Sequence, residues 1–108
     1  MAKKVLGQSN PAATTATTLY TVPAGKETVV SSISVANLTA TAATFRIAIR
    51  PGGATLTNAQ YFGYDITVGA SDSTIITVGI TLAATDVLTV YASTANIAFQ
   101  AFGDEATV

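Results

Sequence analysis

The chain has 108 residues with 5 basic and 6 acidic side chains, and it contains neither histidine nor cysteine. This length predicts a single domain, and the missing cysteine excludes disulfides and thiolate metal sites. A net charge of −1 without a basic stripe argues against nucleic-acid binding, which requires several neutralised phosphates.

Residues 1–17 are predicted to be an N-terminal arm or edge strand with a linker. Residues 3–7 have the character of a short strand, and residues 8–17 (QSNPAATTAT) are small, polar and non-periodic. The apolar run after the basic pair is too short for a secretion signal. The arm could dock on another protein, either a neighbouring subunit or a larger shell, or it could pair within its own sheet, and these alternatives stay open. If it docks, the contact residues are Lys3, Lys4, Val5 and Leu6.

The segment LYTVPAGKETVV, residues 19–30, predicts a turn between two strands. A phosphate-binding loop would need more glycine and a Ser or Thr after its lysine, whereas Glu27 follows Lys26. Pro23 suits the second position of a turn, and Gly25 can adopt a positive φ. The flanking strands are predicted at residues 18–22 and 27–38, and the second is long enough to bend or to carry a bulge near Ser31 and Ser32.

Residues 43–50 (ATFRIAIR) show the clearest alternation in the chain. Three apolar residues point to one face, while Arg46 and Arg50 share the other face. These arginines carry two of the five positive charges. They are therefore either partner contacts or solvated side chains at a sheet surface.

Four more strands are predicted at residues 60–68, 73–82, 86–92 and 96–103. In the first of them, regular alternation places Phe62 and Tyr64 inward and Gly63 outward. The total of seven or eight strands predicts an all-β domain over residues 18–108. It would be an antiparallel β-sandwich or a jelly-roll-like barrel.

No residues stand out as catalytic or as metal ligands, and no cofactor is predicted. General acid–base chemistry lacks histidine and cysteine, and calcium ligands at D-x-D spacing are missing. Outward-facing Tyr61, Tyr91 or Phe102 could stack on sugars, although aromatic residues also simply suit strands. The expected protein is thus not an enzyme.

The surface is expected to be poor in charge. The folded chain should expose about 5,600 Å², which its charged side chains cover at about one per 500 Å². The chain is 49% hydrophobic and 10% charged, whereas about a quarter of residues are charged in an average protein. We therefore expect much of this surface to be covered by partner subunits, and no stretch of the sequence predicts a membrane span.

Residues 19–54 resemble a pattern of small structural proteins in tailed-bacteriophage particles. The shared features are a strand, a P-A-G-K turn, a long strand, an Ala/Thr loop and the strand end FRIAIRP. The resemblance implies a decoration or cement protein on the capsid exterior, made in the host cytoplasm. It also implies the major capsid protein as partner and a homo-oligomer, preferably a trimer but possibly a dimer. A carbohydrate- or receptor-binding module of a fibre or tail is the alternative.

Overall fold

The computed structural model describes residues 2–107. This part of the chain forms eight strands and two short 3₁₀ turns at Pro51–Gly53 and Asn58–Gln60. The strands are β1 (Ala2–Ser9), β2 (Thr17–Thr21), β3 (Lys26–Asn37), β4 (Ala43–Arg50), β5 (Tyr61–Val68), β6 (Ser73–Leu82), β7 (Val87–Ala92) and β8 (Ile97–Thr107).

The strands form two antiparallel sheets that pack face to face. Sheet A has the order β1-β8-β3-β6, and sheet B has the order β2-β7-β4-β5. Strand β1 pairs with β8, β2 with β7, β3 with β6 and β4 with β5, as in a long hairpin that has been rolled up. This is the jelly-roll arrangement. The predicted β-sandwich of seven or eight strands is confirmed, and its sheets do not close into a barrel.

The core lies between the sheets and contains the inward rows of β3, β4, β7 and β8. Phe45 of sheet B and Phe99 of sheet A meet at its centre, with ring centroids 6.0 Å apart and planes at 73°. Both rings are fully buried. This edge-to-face contact joins the middle of one sheet to the middle of the other.

The N-terminal segment is part of the domain's own sheet. Strand β1 pairs with β8 over most of its length. Beyond it, the Asn10 side chain donates to the carbonyl oxygens of Ala95 and Ile97, at 2.9 and 2.8 Å, and Pro11 is buried. Of the two alternatives for this segment, the structure shows pairing within the chain's own sandwich.

The turn and the bulge predicted around β3 are confirmed. Lys26 N–H donates to the Pro23 carbonyl at 3.2 Å, and Gly25 has a φ of +76°. Pro23 therefore occupies the first position of the turn, not the predicted second. The register of β3 shifts between Val30 and Ser32 against both neighbours, which places the bulge at Ser31.

Strand β5 does not alternate as the sequence predicts. Phe45 pairs with Ile66, and Ile47 pairs with Gly63, so two residues of β5 stand opposite Arg46. This bulge turns the Tyr64 side chain outward, where it is 55% exposed, and leaves Gly63 buried. The predicted inward Tyr64 and outward Gly63 are therefore wrong, because one inserted residue reverses the faces of a strand. The predicted inward Phe62 is also wrong, since it lies at a second register shift and its side chain is 44% exposed.

Candidate interaction surfaces

The six residues predicted from the sequence as contacts lie on opposite sheets. Lys3 and Val5 point outward from sheet A, opposite Asp104 and Phe102 of β8. Lys4 points to the other side of β1, where its ammonium binds the Glu105 carboxylate at 3.0 Å.

The other three residues serve the domain in different ways. Leu6 occupies a bulge of β1 and packs against the core. Arg46 and Arg50 lie on the outer side of sheet B, where they are half-buried. The six residues therefore do not form one site.

The outer face of sheet A carries few charges, and we term it the A-face. Strand pairing arranges its side chains in rows that cross the strands. The rows are Glu27–Ala106, Lys3–Asp104–Val29–Thr81, Val5–Phe102–Ser32–Thr77, Gln8–Gln100–Ser34–Ile75 and Ala98–Ala36–Ser73. All side chains of the last three rows are uncharged, and most are small.

One end of the A-face holds a shallow depression of about 510 Å³. Lys3, Val5, Phe102 and Asp104 contribute to its lining. The half-buried Phe102 ring lies beside the exposed Val5, so the depression combines an apolar floor with a charged rim. Smaller depressions lie beside Gln8 and Gln100 and beside Val29 and Thr81, so the A-face offers several places where a protruding side chain could insert.

The outer face of sheet B carries a tyrosine–arginine cluster, consisting of Arg46, Tyr61, Tyr64, Asp65 and Tyr91. The Arg46 guanidinium stacks on two rings, 4.1 Å from the centroid of Tyr64 and 4.3 Å from that of Tyr91. Tyr61 meets Tyr64 edge to face at 5.0 Å. The cluster thus presents an exposed aromatic surface beside charged groups.

An ion pair fixes this cluster to the β5 bulge. Arg46 Nε donates to Asp65 Oδ1 at 2.6 Å, and its Nη2 donates to Oδ2 at 3.4 Å. Hydrogen bonding to Asp65 raises the pKa of Arg46 above its usual range. Asp65 has a φ of +49°, which is uncommon outside glycine and is tolerated best by Asn and Asp. The bulge and the ion pair therefore position Tyr64 together.

A polar network links the two sheets close to the depression at the end of the A-face. The buried Tyr20 hydroxyl donates to Glu105 Oε2 at 2.6 Å and lies 2.7 Å from Thr28 Oγ1. Burial, together with the bond to Glu105, raises the pKa of Tyr20 to about 12. The bonds from Tyr20 and Lys4 lower the pKa of Glu105. Strands β1, β2, β3 and β8 are all tied to this network.

Tyr20→Phe should lower the free energy of unfolding by about 1–3 kcal/mol at neutral pH, since it leaves buried polar groups without a partner. The raised pKa of Tyr20 means that its contribution is complete below pH 10, the ordinary value, and disappears as the pH rises towards about 12. Urea unfolding at several pH values would check this. The stability difference between the wild type and the variant should shrink between pH 10 and 12, and a constant difference would contradict the assignment.

Comparisons with protein-family models, with curated proteins and with solved structures found no match to this chain. Within residues 2–107, no group of three Asp or Glu side chains is arranged to hold a metal ion. The same stretch contains no helix with the length and apolar character needed to cross a membrane.

Proposed function

We propose that this protein is a non-enzymatic structural component of a tailed-bacteriophage particle, a decoration protein that binds the outside of the assembled head and stabilises it. Its partner is the major capsid protein. Support comes from the resemblance over residues 19–54 and from the A-face. The jelly-roll fold alone carries little weight, because this fold serves capsid and lectin domains alike.

The A-face is the observation that carries this proposal. Docking a charged surface requires removing water from its ions, which costs free energy unless each ion finds a partner. The three uncharged rows avoid that cost. Their Ser, Ala and Thr side chains also lose little conformational entropy when they are covered. This surface is thus suited to lie against a broad, preformed shell.

The size of the A-face favours binding by several copies of the protein at once. Four strands span about 19 Å, and with a length of about 30 Å the face offers roughly 500–600 Å². A standard interface buries about 800 Å² per partner. A homo-oligomer that engages several sites on the shell would gain affinity through effective concentration. The trimer implied by the resemblance meets this need, and so does a dimer.

The tyrosine–arginine cluster favours a second candidate function, the binding of carbohydrate by a fibre or tail protein. Saccharide rings stack on exposed aromatic rings, and Tyr64 is the most exposed ring in the cluster. The Asp65 carboxylate beside it is half exposed and retains free acceptor positions for sugar hydroxyls. The cluster lies on the sheet opposite the A-face, so the two candidate functions use different surfaces.

One binding experiment distinguishes these functions. Purified protein is mixed with phage heads assembled without it, and separately with the host's surface polysaccharide, and bound protein is measured by co-sedimentation and imaging. We expect saturable binding to heads. Ser34→Arg, which places a long charged side chain in the middle of the A-face, should raise the Kd for heads at least tenfold. Thr18→Arg, on the outer face of sheet B, is the control and should bind like the wild type.

Each result has a defined meaning. Failure of the wild type to bind heads would overturn the decoration function. Normal binding by Ser34→Arg, with its fold verified by circular dichroism, would exclude the A-face as the docking surface. Polysaccharide binding that Tyr64→Ala abolishes would establish the second function instead.

A further inference from the structure

The two lateral sides of the sandwich differ in how they are closed. On one side, the backbones of β1 and β2 approach so closely that a side chain at Gly7 would collide with the Leu19 carbonyl. On the other side, β5 and β6 leave a groove of about 470 Å³. Its lining includes the exposed Phe62 and three partly buried residues that also pack against the core, Ile49, Val78 and Ile80. Several core-packing side chains are thus partly open to solvent along this side.

Strand β6 borders this groove as an unusually unprotected sheet edge. Exposed edges are normally blocked by charges, prolines, short length or bulges, because their unpaired backbone groups attract other strands. Ser73–Leu82 is ten residues long and contains neither a charge nor a proline. A bulge at Val78–Gly79 interrupts only its second half. Ile75, in the regular first half, is 71% exposed, the highest value among the described large apolar side chains.

Each of the other three edge strands is protected more fully than the first half of β6. Strand β1 has two lysines and a bulge at Leu6. Strand β2 has five residues and a bulge. Strand β5 has two register shifts and Asp65. The contrast singles out β6 as the edge at which another strand can add.

We propose that the first half of β6, residues 73–77, pairs antiparallel with the same residues of a second copy of this chain. The two-fold axis would pass beside Ile75. Such a contact uses the same surface on both copies and closes after two subunits. Sheet A would become a continuous eight-stranded sheet, and each copy would cover part of the groove of the other.

The charges on this side are compatible with self-pairing. Asp72 is the charged residue next to the paired segment, and a two-fold arrangement places the two copies of Asp72 at opposite ends of it. They would lie about 20 Å apart, since a strand rises about 3.3 Å per residue. At physiological salt this distance exceeds the screening length of about 8 Å. A second copy therefore meets no electrostatic barrier.

The paired segment supports a weak, reversible dimer. Five residues of strand extend over about 17 Å, and a sandwich edge is roughly 15–20 Å high, which gives roughly 250–350 Å² per copy. The total of roughly 500–700 Å² falls among weak, transient contacts, which bury less than about 1,200 Å². We therefore expect a Kd of about 100 µM.

Sedimentation equilibrium of the full chain over about 1–500 µM tests the pairing. The wild type should approach twice the 10.9 kDa mass of the chain. Ile75→Lys should raise the dimer Kd at least tenfold, because it places two ammonium groups at the axis. Thr18→Lys is the control, since Thr18 is exposed on the edge strand β2, on the opposite side of the sandwich. It should dimerise like the wild type.

Disulfide cross-linking tests the geometry of the pairing without measuring a Kd. The chain lacks cysteine, and residues directly opposite each other in an antiparallel pair have Cα atoms about 4.5–5.5 Å apart, within disulfide range. Ile75→Cys should therefore form a covalent dimer when an added oxidant such as diamide removes the two thiol hydrogens. Thr18→Cys, on the edge strand β2 at the opposite side of the sandwich, should do so much more slowly.

A wild type that stays monomeric at 500 µM, or a trimer that Ile75→Lys leaves intact, would overturn the pairing. Equal cross-linking rates at positions 75 and 18 would do the same. The inference goes beyond the proposed shell binding and can fail separately from it. A protein that remains monomeric but still coats heads would retain the decoration function and lose only the dimer.

Discussion

Replacing Phe99 with alanine should lower the free energy of unfolding by about 3–5 kcal/mol. The ring is fully buried at the centre of the sandwich, where its edge-to-face contact with Phe45 joins the two sheets. Truncation removes the apolar contacts and leaves a cavity that surrounding strands cannot fill without shifting. A domain of this size has about 5–15 kcal/mol of stability in total, so this one substitution removes a large share.

Thermal unfolding followed by circular dichroism would measure the effect, and the midpoint should fall by roughly 12 °C or more. Phe102→Ala is the matched control, because Phe102 lies on the same strand but points to the A-face and is only half-buried. Phe102→Ala should lower the free energy of unfolding by less than half as much as Phe99→Ala. Equal losses at the two positions would mean that the core is not centred on the Phe45–Phe99 contact.

The strand pattern was predictable from the sequence because alternation is a local property. The inward side chains of β4, β7 and β8 come from every second residue. The sequence alone therefore predicts that Arg46, Tyr91 and Phe102 point outward from their sheets. The turn at Gly25 was equally local. These features depend on residues that are neighbours in the chain, and the physics that fixes them acts within a few residues.

The contacts that build the candidate surfaces were not predictable in the same way. A bulge in β5 changes which residues face outward, and no residue type marks its position. The ion pair of Arg46 with Asp65 and its stacking on Tyr64 therefore could not be predicted from the sequence. Tyr20 looked like an ordinary strand residue, because its partner Glu105 lies 85 positions away. Rows of the A-face depend on register between distant strands, which alternation does not specify.

The difference between the two lateral sides of the sandwich could not be predicted from the sequence for the same reason. The closed side depends on a glycine that the sequence offers no reason to single out, and the open side becomes visible only when β5 and β6 are placed together. The side formed by β1 and β2 leaves little room for another chain, whereas the side formed by β5 and β6 exposes apolar groups. A second copy should therefore pair at β6.

Gly7→Ala tests the closed side and should destabilise the fold by about 3 kcal/mol or more. The added methyl group would collide with the Leu19 carbonyl oxygen, a backbone atom that cannot swing away as a flexible side chain can. The strands β1 and β2 would have to separate, which would disturb the nearby packing of Leu6 and Leu19 against the core. Urea unfolding would measure the loss.

Gly69→Ala provides the control for Gly7→Ala, because a methyl group at position 69 would make ordinary contacts of 3.6 and 3.7 Å with Asp72. Its φ is not positive, so alanine fits without strain, and stability should stay within about 1 kcal/mol of the wild type. Hydrogen exchange adds a spatial test. In Gly7→Ala the amides of β1 and β2 should lose protection while those of β6 keep theirs, since the collision acts on the side of the sandwich opposite the proposed dimer contact. Uniform loss of protection along all eight strands would show instead that the closed side cannot yield without unfolding the whole domain, and unchanged stability would show that the two backbones are not in close contact.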